Sequence, residues 1–331
     1  MRTLTQQLQT LLDQKTKPPG SLGRLEDLAL RLGLIQASTA PTAGPAALIL
    51  FAADHGVYAQ GVAPYPQAVT AQMVATILAG GAASSVLARQ HGVAVTVVDV
   101  GVLTPLTPHP QLLDAKVRAG SRDLSFEAAM SAFELAAALQ AGRDAVVASP
   151  AAVLLIGEMG IANTTPASAM ACALLNAPAS AIAGPGTGLD SSGVAHKARV
   201  IERALALHLD RAPLEILRCL GGLEIAAMTG AFMQAAQLRK VIMVDGFIAT
   251  AALLVAVRLQ PNVIDFCVFA HTSGEPGHGH MLAALNAVPL LNLGLRLGEG
   301  TGALMAYPLL QSACALLSEM ATFNSAGVAQ N

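Results

Sequence analysis

The apolar runs of this chain end in polar clusters equipped for chemistry. Ala46–Ala53 runs into Asp54-His55-Gly56, and Val93–Val98 into Asp99 and Gly101. Ala152–Ile156 leads to Gly157-Glu158-Met159-Gly160 and then Asn163-Thr164-Thr165. Val241–Val244 is followed by Asp245-Gly246, and Val263–Ala270 by His271-Thr272-Ser273-Gly274-Glu275. Carboxylates and histidines are the groups that move protons and hold hydroxyls. For any one Asp, capping a helix explains its place equally well. Five such clusters on one predicted edge favour an active site.

Three glycine-rich segments add a second kind of chemistry. They are Gly184-Pro-Gly-Thr-Gly188, Gly274–Gly279 and Gly298-Glu-Gly-Thr-Gly302, the last opening a helix with Thr301 as its expected cap. Glycine lets backbone N–H groups approach a phosphate, and a helix N-terminus favours the anion. None is followed by Gly-Lys-Ser/Thr, and none is a full GxGxxG after a strand. Each alone reads as a turn. Glu299 is the unusual residue, because a phosphate loop has no use for a carboxylate. It is expected to turn away from phosphate and serve as a base towards another substrate. His271, His278 and His280 follow an HxxxxxxHxH spacing that matches no zincin or zinc finger. No metal is expected, and GxSxG is absent.

These residues need strands and helices to position them. The apolar runs do not alternate, so they read as strands buried on both faces of a parallel sheet. Helical patterns lie between them, around 67–91, 126–142, 164–175, 191–208, 213–238 and 301–320. Ser21 is placed to cap a helix carrying Leu22, Leu25, Leu28, Leu32 and Ile35 on one face. Alternating strands and helices argue for an α/β class. In such sheets, ligands bind outside the carboxyl ends of the strands. The chain ends, about 1–45 and 303–331, lack strands and are expected to pair as a small helical lobe.

Composition bounds the rest. The chain has 331 residues, 53% hydrophobic and only 12% charged, with no Trp and a net charge of −2. Mean hydropathy is +0.55. That excludes disorder, and the charge gives no case for nucleic acid. A membrane helix needs about 20 mostly apolar residues. The best candidate, Val241–Leu259, carries Asp245, Gly246 and Arg258 and reads as strand, turn and buried helix. The N-terminus has no signal-peptide core. A soluble, cytoplasmic protein without a membrane span is expected. Cys172, Cys219, Cys267 and Cys314 form no CxxC pair and read as buried free thiols.

The motifs KPPGSLGRLE (17–26), ADHGV (53–57), AVTAQM (68–73), VVDVGV (97–102), GEMGIANTTPASA (157–169), GGLEIAAMTGA (221–231), VDGFIATAA (244–252), HTSGEPGH (271–278) and LNLGLRLGEGTGALMA (291–306) follow one another along the chain. Together they resemble a known family, the nicotinate-nucleotide:dimethylbenzimidazole phosphoribosyltransferases of cobamide synthesis. The resemblance runs nearly end to end. It implies a Rossmann-like parallel sheet flanked by helices at 46–302. It also implies a small helical domain from 1–45 with 303–331, in a homodimer. The implied substrates are nicotinate mononucleotide and a benzimidazole or related base, with no cofactor.

The resemblance also implies roles. Glu299 matches the catalytic base, and Glu158 a second carboxylate that positions the substrate or stabilises the ribosyl centre. Gly160, Asn163, Thr164, Lys197 and Ser273 are implied for the phosphate, and Asp245 and His271 for the ribose or nicotinate. The base pocket is implied to hold Tyr65, Gln72, Met73, Met159 and Leu297, with Gln72 and Met73 competing for one position. Tyr65 stands where relatives tend to carry a smaller polar residue, and Met159 where Leu is commoner, which leaves the preferred base open. A non-catalytic azole- or nucleotide-binding relative is the alternative. Retention of both Glu158 and Glu299 speaks against it. A dinucleotide-dependent oxidoreductase lacks its fingerprint.

Overall fold

The structure, a computed structural model, describes residues 2–329. Met1, Gln330 and Asn331, at the outer ends of the two terminal segments, lie outside the described residues. The chain begins with α1 (Leu4–Asp13) and α2 (Arg24–Ile35). Thr3 starts α1 with a capping box: its hydroxyl accepts from Gln6 N–H, and Gln6 Oε1 accepts from Thr3 N–H. Strand β1 (Ala46–Ala53) is buried along its whole length, as an apolar run in a two-sided sheet must be. Then come α3 (Val69–Leu78), α4 (Ala83–His91), β2 (Ala94–Gly101) and the short β3 (Leu112–Asp114). The middle of the chain holds α5 (Ala132–Ala148), β4 (Val153–Met159), α6 (Thr164–Leu175), α7 (Ala179–Ile182) and α8 (Ser191–Leu207). After α9 (Pro213–Leu220) and α10 (Leu223–Gln237) follow β5 (Val241–Val244), α11 (Phe247–Leu259) and β6 (Cys267–Phe269). The chain closes with α12 (Pro276–Ala284), α13 (Thr301–Glu319) and α14 (Phe323–Ala326).

The six strands form one sheet in the order β3-β2-β1-β4-β5-β6, every pair parallel. This is an α/β sheet wound outwards in both directions from β1 and β4. Its winding reverses between those two strands, so the crevice for a ligand lies at their carboxyl ends. Register puts Phe51 opposite Glu158 and Ala52 opposite Met159, so the ends of β1 and β4 are level.

Several expected elements differ from those observed. Val263–Ala270 is not one strand. Pro261–Phe266 is a 3-10 helix, and only Cys267–Phe269 pairs with β5. The buried Val263 and Phe266 are three apart, the repeat of that tighter helix. The single helix expected over 67–91 is broken at Gly80–Gly81, with Gly80 at φ +79°. Likewise 213–238 breaks at Gly221–Gly222 into α9 and α10. The helix expected over 126–142 starts later, because Ser131 and Glu134 form its capping box. Ser21 is not a cap: α2 starts at Arg24 after Gly23, and Glu26 accepts the Leu22 N–H at 2.9 Å. Thr301 is not the cap of α13. That place is Gly300, and the Thr301 hydroxyl donates to Gly298 O at 2.7 Å.

Val241–Leu259 is strand, turn and helix, buried through β5 and most of α11. Among the described residues, Val69–His91 has the length and composition of a membrane span, but it is two helices joined by the Gly80–Gly81 turn. The chain ends meet. Thr16 N–H donates to Ala321 O and Phe323 N–H to Gln14 O, both at 3.0 Å. Leu28 and Leu32 of α2, with Leu310 and Leu317 of α13, are buried. Helix α13 runs from this contact to the carboxyl ends of the strands, where Thr301 begins it.

Candidate active site

A cavity of about 640 Å³ opens beyond the carboxyl ends of β4, β5 and β6. Strand β4 delivers Glu158 and Met159, the turn after it Gly160 and Asn163, and the start of α6 Thr164. Asp245 follows β5, and His271, Ser273 and Glu275 follow β6. The segment 294–299 supplies Leu297 and Glu299, while Tyr65 and Met73 approach from the side of α3.

Glu299 sits on a sharp turn. Gly298, Glu299 and Gly300 all have left-handed backbones, with φ of +86°, +58° and +73°. A non-glycine residue there costs about 1–2 kcal/mol, and such strain collects at functional sites. The turn lies directly on β4: a Cβ at Gly157 would come within 2.9 Å of Gly300 N and Glu299 C. The Glu299 carboxylate is 3% exposed. Its Oε2 accepts from Ser84 Oγ at 2.9 Å. Burial raises its carboxyl above the usual range, and the Ser84 hydroxyl and N–H oppose that.

Glu158 is different. Its Oε2 accepts from the Asn163 side-chain amide, and its Oε1 occupies the space where a Cβ on Gly298 would collide. Burial pushes its carboxyl up to about 8, with Asn163 opposing. The charged groups facing it, Glu224, Asp245 and Glu299, are all acidic and push the same way. Asp245 Oδ1 accepts the Ala303 N–H at 2.9 Å, so this carboxylate also caps α13. Burial raises it; His271, with Nε2 at 3.7 Å, opposes first.

The histidines serve the loop. His278 Nδ1 accepts the Ser273 N–H at 2.8 Å, and its Nε2 donates to Thr250 Oγ1 at 3.0 Å, which in turn donates to Gly246 O. That chain needs a neutral ring, and burial with His271 lowers its pKa to about 3. His271 Nδ1 is buried without a partner, and His280 is exposed.

Twelve of the fourteen expected site residues line this cavity; Lys197 and Gln72 do not. Lys197 is 1% exposed and lies behind the wall, donating from Nζ to Thr164 Oγ1 and Gly184 O, both at 3.0 Å. Burial lowers it to about 8, and Glu275 opposes. Gln72 is exposed on α3, while its neighbour Met73 lines the wall. Successive helical residues point about 100° apart, so only one of them can face the cavity. The Asn163 side chain is spent on Glu158, and its backbone closes the turn, donating to Gly160 O at 3.2 Å and accepting from Ala167 N–H at 3.1 Å. Two of the five sequence clusters hold loops instead: Asp54 Oδ2 accepts Leu103 N–H, and Asp99 Oδ1 accepts Val102 N–H, both at 2.8 Å. Sequence reasoning missed Ser84, Thr187 and Arg296. Arg296 donates to Gly186 O at 2.9 Å across the mouth. Its place in the GLRLGEG segment was the available signal.

The chain has close relatives. A family model described as a phosphoribosyltransferase matches residues 1–328. The nicotinate-nucleotide–dimethylbenzimidazole phosphoribosyltransferase of Cupriavidus necator is 54% identical over 329 residues, covering 98% of this chain and 95% of that protein. The enzyme of the same name from Pseudomonas aeruginosa is 54% identical over 321 residues, covering 96% and 92%. The crystal structure of CobT from Thermus thermophilus matches with a TM-score of 0.96 at 44% identity, covering 99% of each chain.

Proposed function

This chain belongs to the nicotinate-nucleotide–dimethylbenzimidazole phosphoribosyltransferase family, and from that premise we propose how its residues carry out the transfer. It is a pentosyltransferase of cobamide synthesis. Phosphoribose passes from nicotinate mononucleotide to dimethylbenzimidazole or a related base. The unprotonated ring nitrogen of the base forms a bond to C1′ of the ribose. The C1′–N bond to nicotinate breaks, its electron pair stays on the pyridine nitrogen, and the centre inverts from β to α. The leaving group departs neutral at that nitrogen, so no general acid is required. The attacking base must lose its N–H proton, and Glu299 takes it.

The observation that carries this reading is the placing of Glu299. It is held in a strained turn with Oε2 on Ser84, on an otherwise largely apolar wall with Met159, Leu297, Met73 and Tyr65. A base functions best with a pKa near the working pH, and burial raises Glu299 towards it. Glu158 positions the mononucleotide beside its cationic pyridinium ring, which favours the ionised carboxylate. Gly160 and the Asn163-Thr164 turn, with Ser273, border the phosphate. Lys197 supplies its charge from behind Thr164. Asp245 and His271 border the ribose and nicotinate. Tyr65, Met73, Met159 and Leu297 form the base pocket.

The same proposal includes a homodimer in the cytoplasm. Large apolar side chains left exposed, Phe126 and Phe133 among them, support a partner. Four buried, unpaired cysteines support a reducing compartment. It also keeps 1–45 with 303–331 as a helical domain beside 46–302, with α13 crossing the boundary. The test of the reaction is incubation with nicotinate mononucleotide and dimethylbenzimidazole, followed by chromatography. Release of nicotinate with α-ribazole 5′-phosphate is expected. No nicotinate release with any benzimidazole or purine would sink it.

A further inference from the structure

Ser84 lies outside every motif that marked the site, yet it touches the proposed base. Helix α4 starts after Ala82, which offers no side-chain acceptor to the first turn. Those N–H groups need one. Glu299, 215 residues further on, brings its carboxylate there. Ser84 is fully buried, so its hydroxyl does not serve solvent. A serine hydroxyl has one proton to donate, and Ser84 spends it on Glu299 Oε2 at 2.9 Å. The Ser84 N–H faces the same carboxylate. Among the described residues no hydrogen bond engages Oε1, and Glu299 is on the cavity wall.

We propose that Ser84 is a positioning residue for Glu299: its hydroxyl grips Oε2 and leaves Oε1 to meet the N–H of the incoming base. The proposal rests on the reading of Glu299 as the base. A hydrogen bond to the ionised form favours that form, so Ser84 also opposes the effect of burial on Glu299. The titratable groups around this turn are Glu158 on β4, Asp245 after β5 and His271 after β6. Neither Ser84 variant below alters them.

The test is the pH profile of kcat for wild type, Ser84→Ala and Ser84→Cys, with thermal melts to show that each folds. In Ser84→Ala the acid limb, set by ionisation of Glu299, moves to higher pH by about one unit. kcat then falls about tenfold below the wild-type limb and much less above it. KM for the mononucleotide stays within about twofold, because Ser84 is not among the residues that line the cavity. Cysteine has nearly the volume of serine but is a weak donor, so Ser84→Cys follows Ser84→Ala. An equal loss at every pH, or a Ser84→Cys profile like wild type, overturns the proposal in favour of packing. Glu299→Gln separates the two readings: if it keeps the acid limb, Glu299 is not the base. A ¹³C titration of the Glu299 carboxyl needs no turnover. It must move upward in Ser84→Ala, and an unmoved titration overturns the role of Ser84.

Discussion

Glu158 and Glu299 are the same residue type on one cavity, in unlike surroundings. Glu158 ends a rigid strand, takes one side-chain amide from Asn163 and faces only acidic charges. Glu299 rides a left-handed turn and takes the Ser84 hydroxyl at a helix start. Burial raises both, but only Glu158 is driven as far as about 8. Environments that push two carboxyls apart assign them different work. Here burial and three acidic neighbours hold Glu158 up, while at Glu299 the Ser84 hydroxyl and N–H offset burial, as the proposed base requires.

Removing the proposed base should break this contrast most severely. Glu299→Gln is expected to lower kcat by about 10²–10⁴-fold, the range for a lost general base. Mononucleotide affinity, read by calorimetry, should stay unchanged. Near-wild-type turnover would remove Glu299 from that role. Disturbing the turn without touching a carboxylate comes next. Gly157→Ala forces the Glu299 turn off β4, and a misplacement of this kind costs about 10²-fold in kcat. An undiminished rate would show that the close approach does not matter.

The Glu158 side of the contrast has its own pH signature. Its raised pKa means that the free enzyme holds the proton below about 8. A cationic pyridinium prefers the ionised form, so binding releases that proton. Affinity for the mononucleotide should therefore rise about five- to tenfold between pH 7 and 8.5. Glu158→Gln should flatten that rise in a calorimetric titration; a rise that persists in the variant would point to another group. Lys197→Met, which keeps the stem and removes the charge, should raise KM for the mononucleotide about tenfold with kcat little changed. An unchanged KM would take Lys197 out of the phosphate site. The smallest effect is expected at Tyr65, which is 51% exposed at the mouth. Tyr65→Ser should change KM for the base by only a few-fold, since such pockets discriminate by about 1–3 kcal/mol.

Much of this site was legible from sequence because charge is scarce. Where so few residues are charged, Glu158, Asp245 and Glu275 after apolar runs stand out, and glycines on both sides of Glu299 announce a turn. The parallel sheet was legible for the same reason: β1 and β5 have no polar residue to turn outward. What escaped depends on contacts far apart in sequence. Ser84 meets Glu299 across 215 positions and belongs to no motif. Lys197 reads as an ordinary helical lysine until the fold closes over it. Asp54 and Asp99 look like site residues until the loops at Leu103 and Val102 claim them. Val263–Phe266 reads as strand because it is apolar, although its buried pair has helical spacing.

The order in which the two carboxyls release their protons is the central claim. It is read most directly by ¹³C titration of the free enzyme, with Glu158→Gln and Glu299→Gln used to assign the two signals. The account predicts that Glu299 ionises first and that Glu158 follows near pH 8. A Glu158 already ionised at neutral pH beside a protonated Glu299 would contradict it.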